Sequence, residues 1–224
     1  MLVGAVLRVA YLGSDPSYPS WIGWLGDEGR WTQLGRDWVL FGTVELDSPL
    51  SRTHLILSPL FQAVQALAFR IFGVGIGVAR SVSVLAGFAV IATAAWFLRR
   101  RLGTAAAAVV VALLAVHPDL VFFSRVAIPE MASLALQLLA FALLVGAPRT
   151  RGRAFWAGVC AAVAMGLKGT VAPLLIVFVA IALAARRPGD PASRLARCGA
   201  FTVPILLPAL LFLLFVSVAA GSVG

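Results

Sequence analysis

Apolar runs dominate this chain, and where they stop is more informative than what they contain. They cover residues 55–72, 78–98, 104–118, 127–147, 154–185 and 199–220, with a break in the fifth at Gly166-Leu167-Lys168-Gly169 that divides it into 154–167 and 170–185. Runs of this length and continuity predict helices that bury themselves in hydrocarbon, since only helices and closed barrels satisfy their own backbone there. Met1 to Leu12 is apolar too, but it is shorter than a spanning helix and Arg8 interrupts it, so it is expected to be a shortened first span. It lacks the basic n-region and cleavage site of a signal peptide. The one long polar stretch, residues 13–54, carries the turn signals Asp15-Pro16, Tyr18-Pro19 and Ser48-Pro49. Inside it Trp31, Leu34, Trp38 and Phe41 recur at helical spacing while Arg30, Gln33 and Asp37 take the other side. That pattern predicts a short helix over 28–41 lying in the membrane interface, its tryptophans at headgroup level.

Composition sharpens this into an all-α polytopic transmembrane helix bundle, with an extracytoplasmic first loop carrying interfacial helices. The 224 residues are 61% hydrophobic and 12% charged, which excludes an ordinary water-soluble domain. The net charge of +9 sits in short arginine clusters between apolar runs. Such clusters suit inner-leaflet lipid and orientation better than nucleic acid, which is set aside as a partner. Cys160 and Cys198 form neither a disulfide framework nor a metal-ligand spacing.

Charge also orients the chain. Arg99-Arg100-Arg101, then Arg149, Arg151 and Arg153, then Arg186, Arg187, Arg194 and Arg197 mark cytoplasmic loops. The loop of residues 13–53 holds six of the nine acids and belongs outside. An odd number of crossings must then separate it from Arg99. Residues 55–72 are therefore expected to dip into or lie along the outer leaflet while 78–98 spans; the alternative has both spanning. Counting onward, 104–118 returns outward and 154–185 forms two short helices meeting outside at Lys168. Parity thus places Asp27, Glu28, Asp119, Glu130, Arg80, Arg125 and Lys168 on one outer face.

Carboxylates beside fixed cations suit a reaction that takes a proton from a nucleophile while a charged headgroup is held. Asp27-Glu28 is an adjacent acid pair, set against the bland reading of a solvated loop. Glu130 follows Pro129 at a helix start, where capping is the rival role. Lys168, the only lysine, is a point charge fit for phosphate or a snorkelling side chain. Arg80 follows a glycine-rich turn at a span's outer end, and Arg125 and Asp119 complete the charged set. No nucleotide-binding loop accompanies them.

Several short motifs together resemble a family. They are Asp27-Glu28 with a helix ending at Gly42, Ser58-Pro59-Leu60-Phe61, Phe72-Gly73, Ala79-Arg80-Ser81-Val82-Ser83, Phe123-Ser124-Arg125 with Glu130, and the Gly166-Leu167-Lys168 turn. In that order they resemble the GT-C membrane glycosyltransferases, nearest the protein O-mannosyltransferase and aminoarabinose transferase branch. Residues 1–224 would be the N-terminal part of such a transmembrane domain. The resemblance implies an enzyme of the cell envelope, in a bacterial inner membrane. It would pass a sugar from a polyprenyl-phosphate carrier to a protein, lipid or glycan acceptor on the extracytoplasmic face. Carried over, Asp27 is the acceptor-activating base with Glu28 beside it, Glu130 the second acidic position, and Arg80 and Lys168 the carrier-phosphate sites. A divalent cation is left open, with Asp27 and Glu130 as its ligands if there is one. His54-Leu-Ile-Leu-Ser-Pro59 and Trp31 depart from the usual pattern. The rivals are a transporter or lipid flippase fragment, which would carry charges near mid-span and an internal repeat, and a noncatalytic assembly subunit indifferent to Asp27 and Glu28.

Overall fold

The computed structural model describes residues 2–13, 27–44, 46, 48–146, 150–184, 195–206 and 210. Their regular structure is helical: α1 Leu2–Val9, α2 Asp27–Phe41, α3 Pro49–Leu57, α4 Pro59–Phe72, α5 Ile76–Leu102, α6 Thr104–Val116, α7 Pro118–Arg125, α8 Glu130–Val145, α9 Arg151–Leu167, α10 Leu174–Ala184 and α11 Leu195–Leu206. A 3-10 turn at Gly169–Val171 separates α9 from α10. The protein is an all-α membrane helix bundle.

Breaks fall where backbone chemistry demands them. Pro59 and Pro118 each open a helix, and a proline drives the residue before it out of helical geometry. Ser58 (φ −149°, ψ 51°) and His117 (φ −59°, ψ 126°) are accordingly non-helical. The chain bends by 99° between α3 and α4 and by 53° between α6 and α7. A single residue, Gly103, joins α5 to α6; its φ of +79° is strained for any side chain but glycine's.

Among the described residues only α5 is by itself long and apolar enough to cross a membrane. The pairs α3–α4 and α6–α7 qualify only if each counts as one broken span. The 14 residues of α4 rise about 21 Å at about 1.5 Å per residue, short of a hydrocarbon core of about 30 Å. The run 104–118, expected to return outward, is helical from Thr104 to Val116 and gives way at His117-Pro118 to α7. The expected break near Lys168 is present. Of the expected last run, 199–220, residues 207–209 and 211–220 lie outside the described residues, as do 14–26 of the first loop.

The chain divides into two compact units. One comprises residues 1–138 and 164–170; the other comprises 139–163 and 171–224. In the first, α5 packs on α4, α6 and α7, α1 packs on α6 and α7, and α2 lies on α4. Small apolar clusters form its core. Phe69, Ala79 and Ala127 meet Val39 and Val78, while Val90, Met131 and Ala135 meet Leu120 and Phe123. In the second unit α9 and α11 approach so closely that a Cβ on Gly158 would stand 2.1 Å from the Phe201 carbonyl oxygen, and the Phe178 and Phe201 rings lie edge to face.

The helix predicted over 28–41 forms, and the face it turns to the protein is not its aromatic stripe. Glu28, Thr32 and Gly35 are buried and Val39 packs on the Phe69 cluster, whereas Trp38 and Phe41 are 55% and 70% exposed. Leu34 is buried and Trp31 half-buried. The reason is Gly35. A Cβ there would meet the Ala66 nitrogen and the Gln62 carbonyl oxygen at 2.9 Å, so its absence lets the two backbones touch. Gln62 then secures the contact, donating from Nε2 to the Trp31 carbonyl (2.8 Å) and accepting at Oε1 from the Gly35 N–H (3.3 Å). Trp31, Gly35 and Val39 meet Gln62, Ala66 and Phe69 in ascending order, so α2 and α4 run parallel.

Candidate active site

The buried stripe of α2 begins with Glu28, and this carboxylate is the most connected acid in the first unit. Arg80, 2% exposed near the start of α5, grips it as a fork. Nε donates to Oε1 at 2.7 Å and Nη2 to Oε2 at 2.8 Å. The Ala127 N–H adds a third bond to Oε1 at 2.8 Å. Arg80 Nη1 donates to the Leu12 carbonyl, just after α1. Four separate pieces of chain thus meet at one ion pair. Two buried charges survive here because each is hydrogen-bonded in planar, bidentate geometry. Glu28, expected as a catalytic acid, and Arg80, expected at the carrier phosphate, are found bonded to each other.

Three residues beyond Ala127 stands Glu130, in the first turn of α8. Its Oε1 accepts from Lys168 Nζ, at the break after α9. This pair is more open, the Glu130 and Lys168 side chains being 30% and 22% exposed. Glu130 Oε2 is buried and makes no hydrogen bond. The break itself is seated on the α3–α4 corner. A Cβ on Gly166 would stand 2.6 Å from Leu60 Cδ1, and one on Gly169 would stand 3.2 Å from the Leu57 carbonyl oxygen. Glycines at both positions let Lys168 come down onto Glu130.

The remaining candidates are placed as follows. Asp27 is the first residue of α2; its side chain lies outside what is described. Trp31 follows it by one helical turn and packs against His54 of α3, the ring centroids 4.4 Å apart and the planes tilted by 59°. Arg125 donates to the Leu7 and Ala10 carbonyls (2.6 and 2.8 Å) and so caps the end of α1, where a cation is favoured. Asp119 is exposed in the first turn of α7, where the helix dipole favours an acid. Among the described residues no three His, Cys, Asp or Glu side chains gather, so the cation expectation rests on Asp27 and the unpaired oxygen of Glu130.

Arg8 is the residue the sequence reading undervalued. It is 1% exposed and stitches α1 across the α6–α7 bend. Nη1 donates to the carbonyls of Gly4 (2.8 Å) and Ala115, Nε donates to Ser124 Oγ, and Nη2 has no partner. The bend frees carbonyls in the last turn of α6, and the guanidinium takes one of them. The signal was present in the sequence as a lone arginine inside an apolar run.

An all-α membrane bundle with acid–base pairs at helix starts and at a helix break is compatible with the family resemblance read from the sequence. The profile of the dolichyl-phosphate-mannose-protein mannosyltransferase family matches residues 56–212, and the chain belongs to that family. It is thus an integral membrane protein of GT-C glycosyltransferase type. The match includes Arg80, Arg125, Glu130 and Lys168 and begins after Asp27 and Glu28. No curated protein and no solved structure matches the chain.

Proposed function

We propose that this chain belongs to an enzyme that transfers a sugar from a polyprenyl-phosphate carrier to an acceptor hydroxyl on the extracytoplasmic face of the membrane. One observation carries the reading: the Glu28 carboxylate ties the start of α2 to α5 and to residue 127, so Asp27 and Glu130 each lie within three residues of the same joint. A sugar on a lipid phosphate already has its leaving group. The protein must position the acceptor, accept its proton and stabilise the departing phosphate. In this reading Asp27 takes the proton as the acceptor oxygen attacks the anomeric carbon and the bond to phosphate breaks. Glu28 and Arg80 hold the base in place. Lys168 offers its ammonium to the phosphate, and Glu130, whose Oε2 is buried and unpaired, accepts from a sugar or acceptor hydroxyl that comes in to meet it.

The transporter alternative asked for charges near mid-span. Arg8 is a buried charge in an apolar run, but its bonded nitrogens are spent on two backbone carbonyls and Ser124, which favours a structural role.

The test is sugar transfer by the protein in membranes, with a labelled polyprenyl-phosphate sugar as donor. Asp27→Asn is expected to lower turnover by about 10²–10⁴-fold with donor binding retained, the usual worth of a positioned general base. Unchanged turnover would remove Asp27 from the chemical step.

A further inference from the structure

The triplet Arg99-Arg100-Arg101 takes no part in the site above. From position 80 to position 99 the continuous helix α5 rises about 28 Å, close to the thickness of a hydrocarbon core. The triplet therefore lies about one membrane thickness along α5 from the Glu28–Arg80 joint. Three adjacent arginines at the end of an apolar helix would repel one another unless something anionic met them. Arg100 lies over the Trp96 ring, 5.0 Å from its centre, and Arg101 lies over Phe97 at 5.6 Å. A guanidinium stacked on a ring face is held in place while its N–H edge stays open to an acceptor. Among the described residues no carboxylate pairs with Arg99 or Arg100.

Beside Arg99 there is a furrow. The one-residue turn at Gly103 folds α6 back along α5, and between them lies a groove of about 250 Å³ lined by Ala95, Arg99, Thr104, Ala107, Ala108 and Val111. Its lining is mostly methyl groups, with one arginine and one hydroxyl. This is smaller than the roughly 300–1,000 Å³ of pockets that enclose a whole small ligand. It suits one segment of a molecule whose remainder lies in the surrounding bilayer. A long apolar chain ending in a phosphate matches both halves, the chain against the alanines and the phosphate against the arginines.

The geometry points to an anionic-phospholipid site at the α5–α6 hairpin, with one acyl chain in the Ala95–Ala107–Ala108 furrow and the phosphate held by Arg99 and Arg100. The occupant is a bilayer lipid. The polyprenyl-phosphate carrier belongs at the other end of α5.

The experiment measures retention of phosphatidylglycerol against phosphatidylcholine by the full chain, purified from mixed-lipid nanodiscs, using native mass spectrometry. Wild type should retain phosphatidylglycerol preferentially. Arg99→Gln and Arg100→Gln should each weaken that retention about fivefold, the worth of about one arginine at a charged lipid surface. Ala108→Leu, which fills the furrow from an exposed position, should weaken retention of both lipids. The substituted positions are exposed, so helix content and melting should stay as in wild type, and this is checked by circular dichroism. Equal retention of the two lipids, or no loss in Arg99→Gln, overturns the proposal. So does displacement of phosphatidylglycerol by added polyprenyl phosphate in wild type but not in Arg99→Gln, which would make the furrow a carrier site.

Discussion

Two ion pairs stand within a few residues of each other, and they are built differently. Glu28 and Arg80 are 9% and 3% exposed, meet through two parallel bonds and carry a third from Ala127. Glu130 and Lys168 are 30% and 22% exposed, meet through one oxygen and leave the other with no hydrogen bond. Buried, saturated charges cannot engage a substrate without first giving up a partner, and losing one strands the other in a low dielectric. A partly exposed pair held through a single oxygen gives up less when a substrate group takes one of its partners. Similar residue types thus make a saturated joint in one place and, in the proposed mechanism, a set of reagents in the other.

Removing half of the joint should have the largest effect. Glu28→Gln is expected to lower stability by about 3–5 kcal/mol, because Arg80 is left buried without its counter-charge. Thermal unfolding in detergent checks this, and activity should fall in proportion to the folded fraction. A stable, folded but inactive Glu28→Gln protein would erase the distinction and return Glu28 to the chemistry.

Glu130→Gln should do the reverse. Melting should shift by no more than about 1 kcal/mol, as expected of a partly exposed pair. Turnover should drop about 10–100-fold, the worth of a hydrogen bond to a charged group. Steady-state transfer and melting measured on one preparation separate the two outcomes. A large stability loss without a specific loss of turnover would show that this pair is a second joint.

Gly35→Ala sharpens the same comparison from a distance. The new methyl meets backbone atoms of α4 at 2.9 Å and should cost about 1–3 kcal/mol by forcing α2 away. Because Glu28 begins the same face of α2, the shift should weaken its contact with Ala127. The expected signature is faster hydrogen exchange at the Ala127 amide, with exchange in the Gly146 to Ala164 region unchanged.

Much of the helix plan was legible because it rests on local chemistry. Apolar continuity locates α5 and α8, while the glycines around Lys168 locate the α9 break. The facing of α2 was not legible. Aromatic periodicity put Trp38 and Phe41 on the interfacial side and said nothing of the protein-facing side, where Gly35 allows a closer approach than any aromatic could; only the position of α4 makes that matter. Gln62 and Gln65, polar residues one turn apart in an apolar run, were the available hint that α4 faces protein rather than lipid. The acids were legible as candidates but not in their roles. Glu28 meets Arg80 from 52 positions away and Ala127 from 99, and nothing in the Asp27-Glu28 pair says which acid turns inward.

Arg8 reaches far along the chain, to a carbonyl 107 residues downstream and to the Ser124 hydroxyl 116 downstream. At roughly 5–20 residues per second, those acceptors leave the ribosome about 5–20 s after Arg8 does. For that interval the first apolar segment carries a bare charge that lipid tolerates poorly. Its final seat exists only once α6 and α7 have been made, so α1 is finished by helices synthesised well after it.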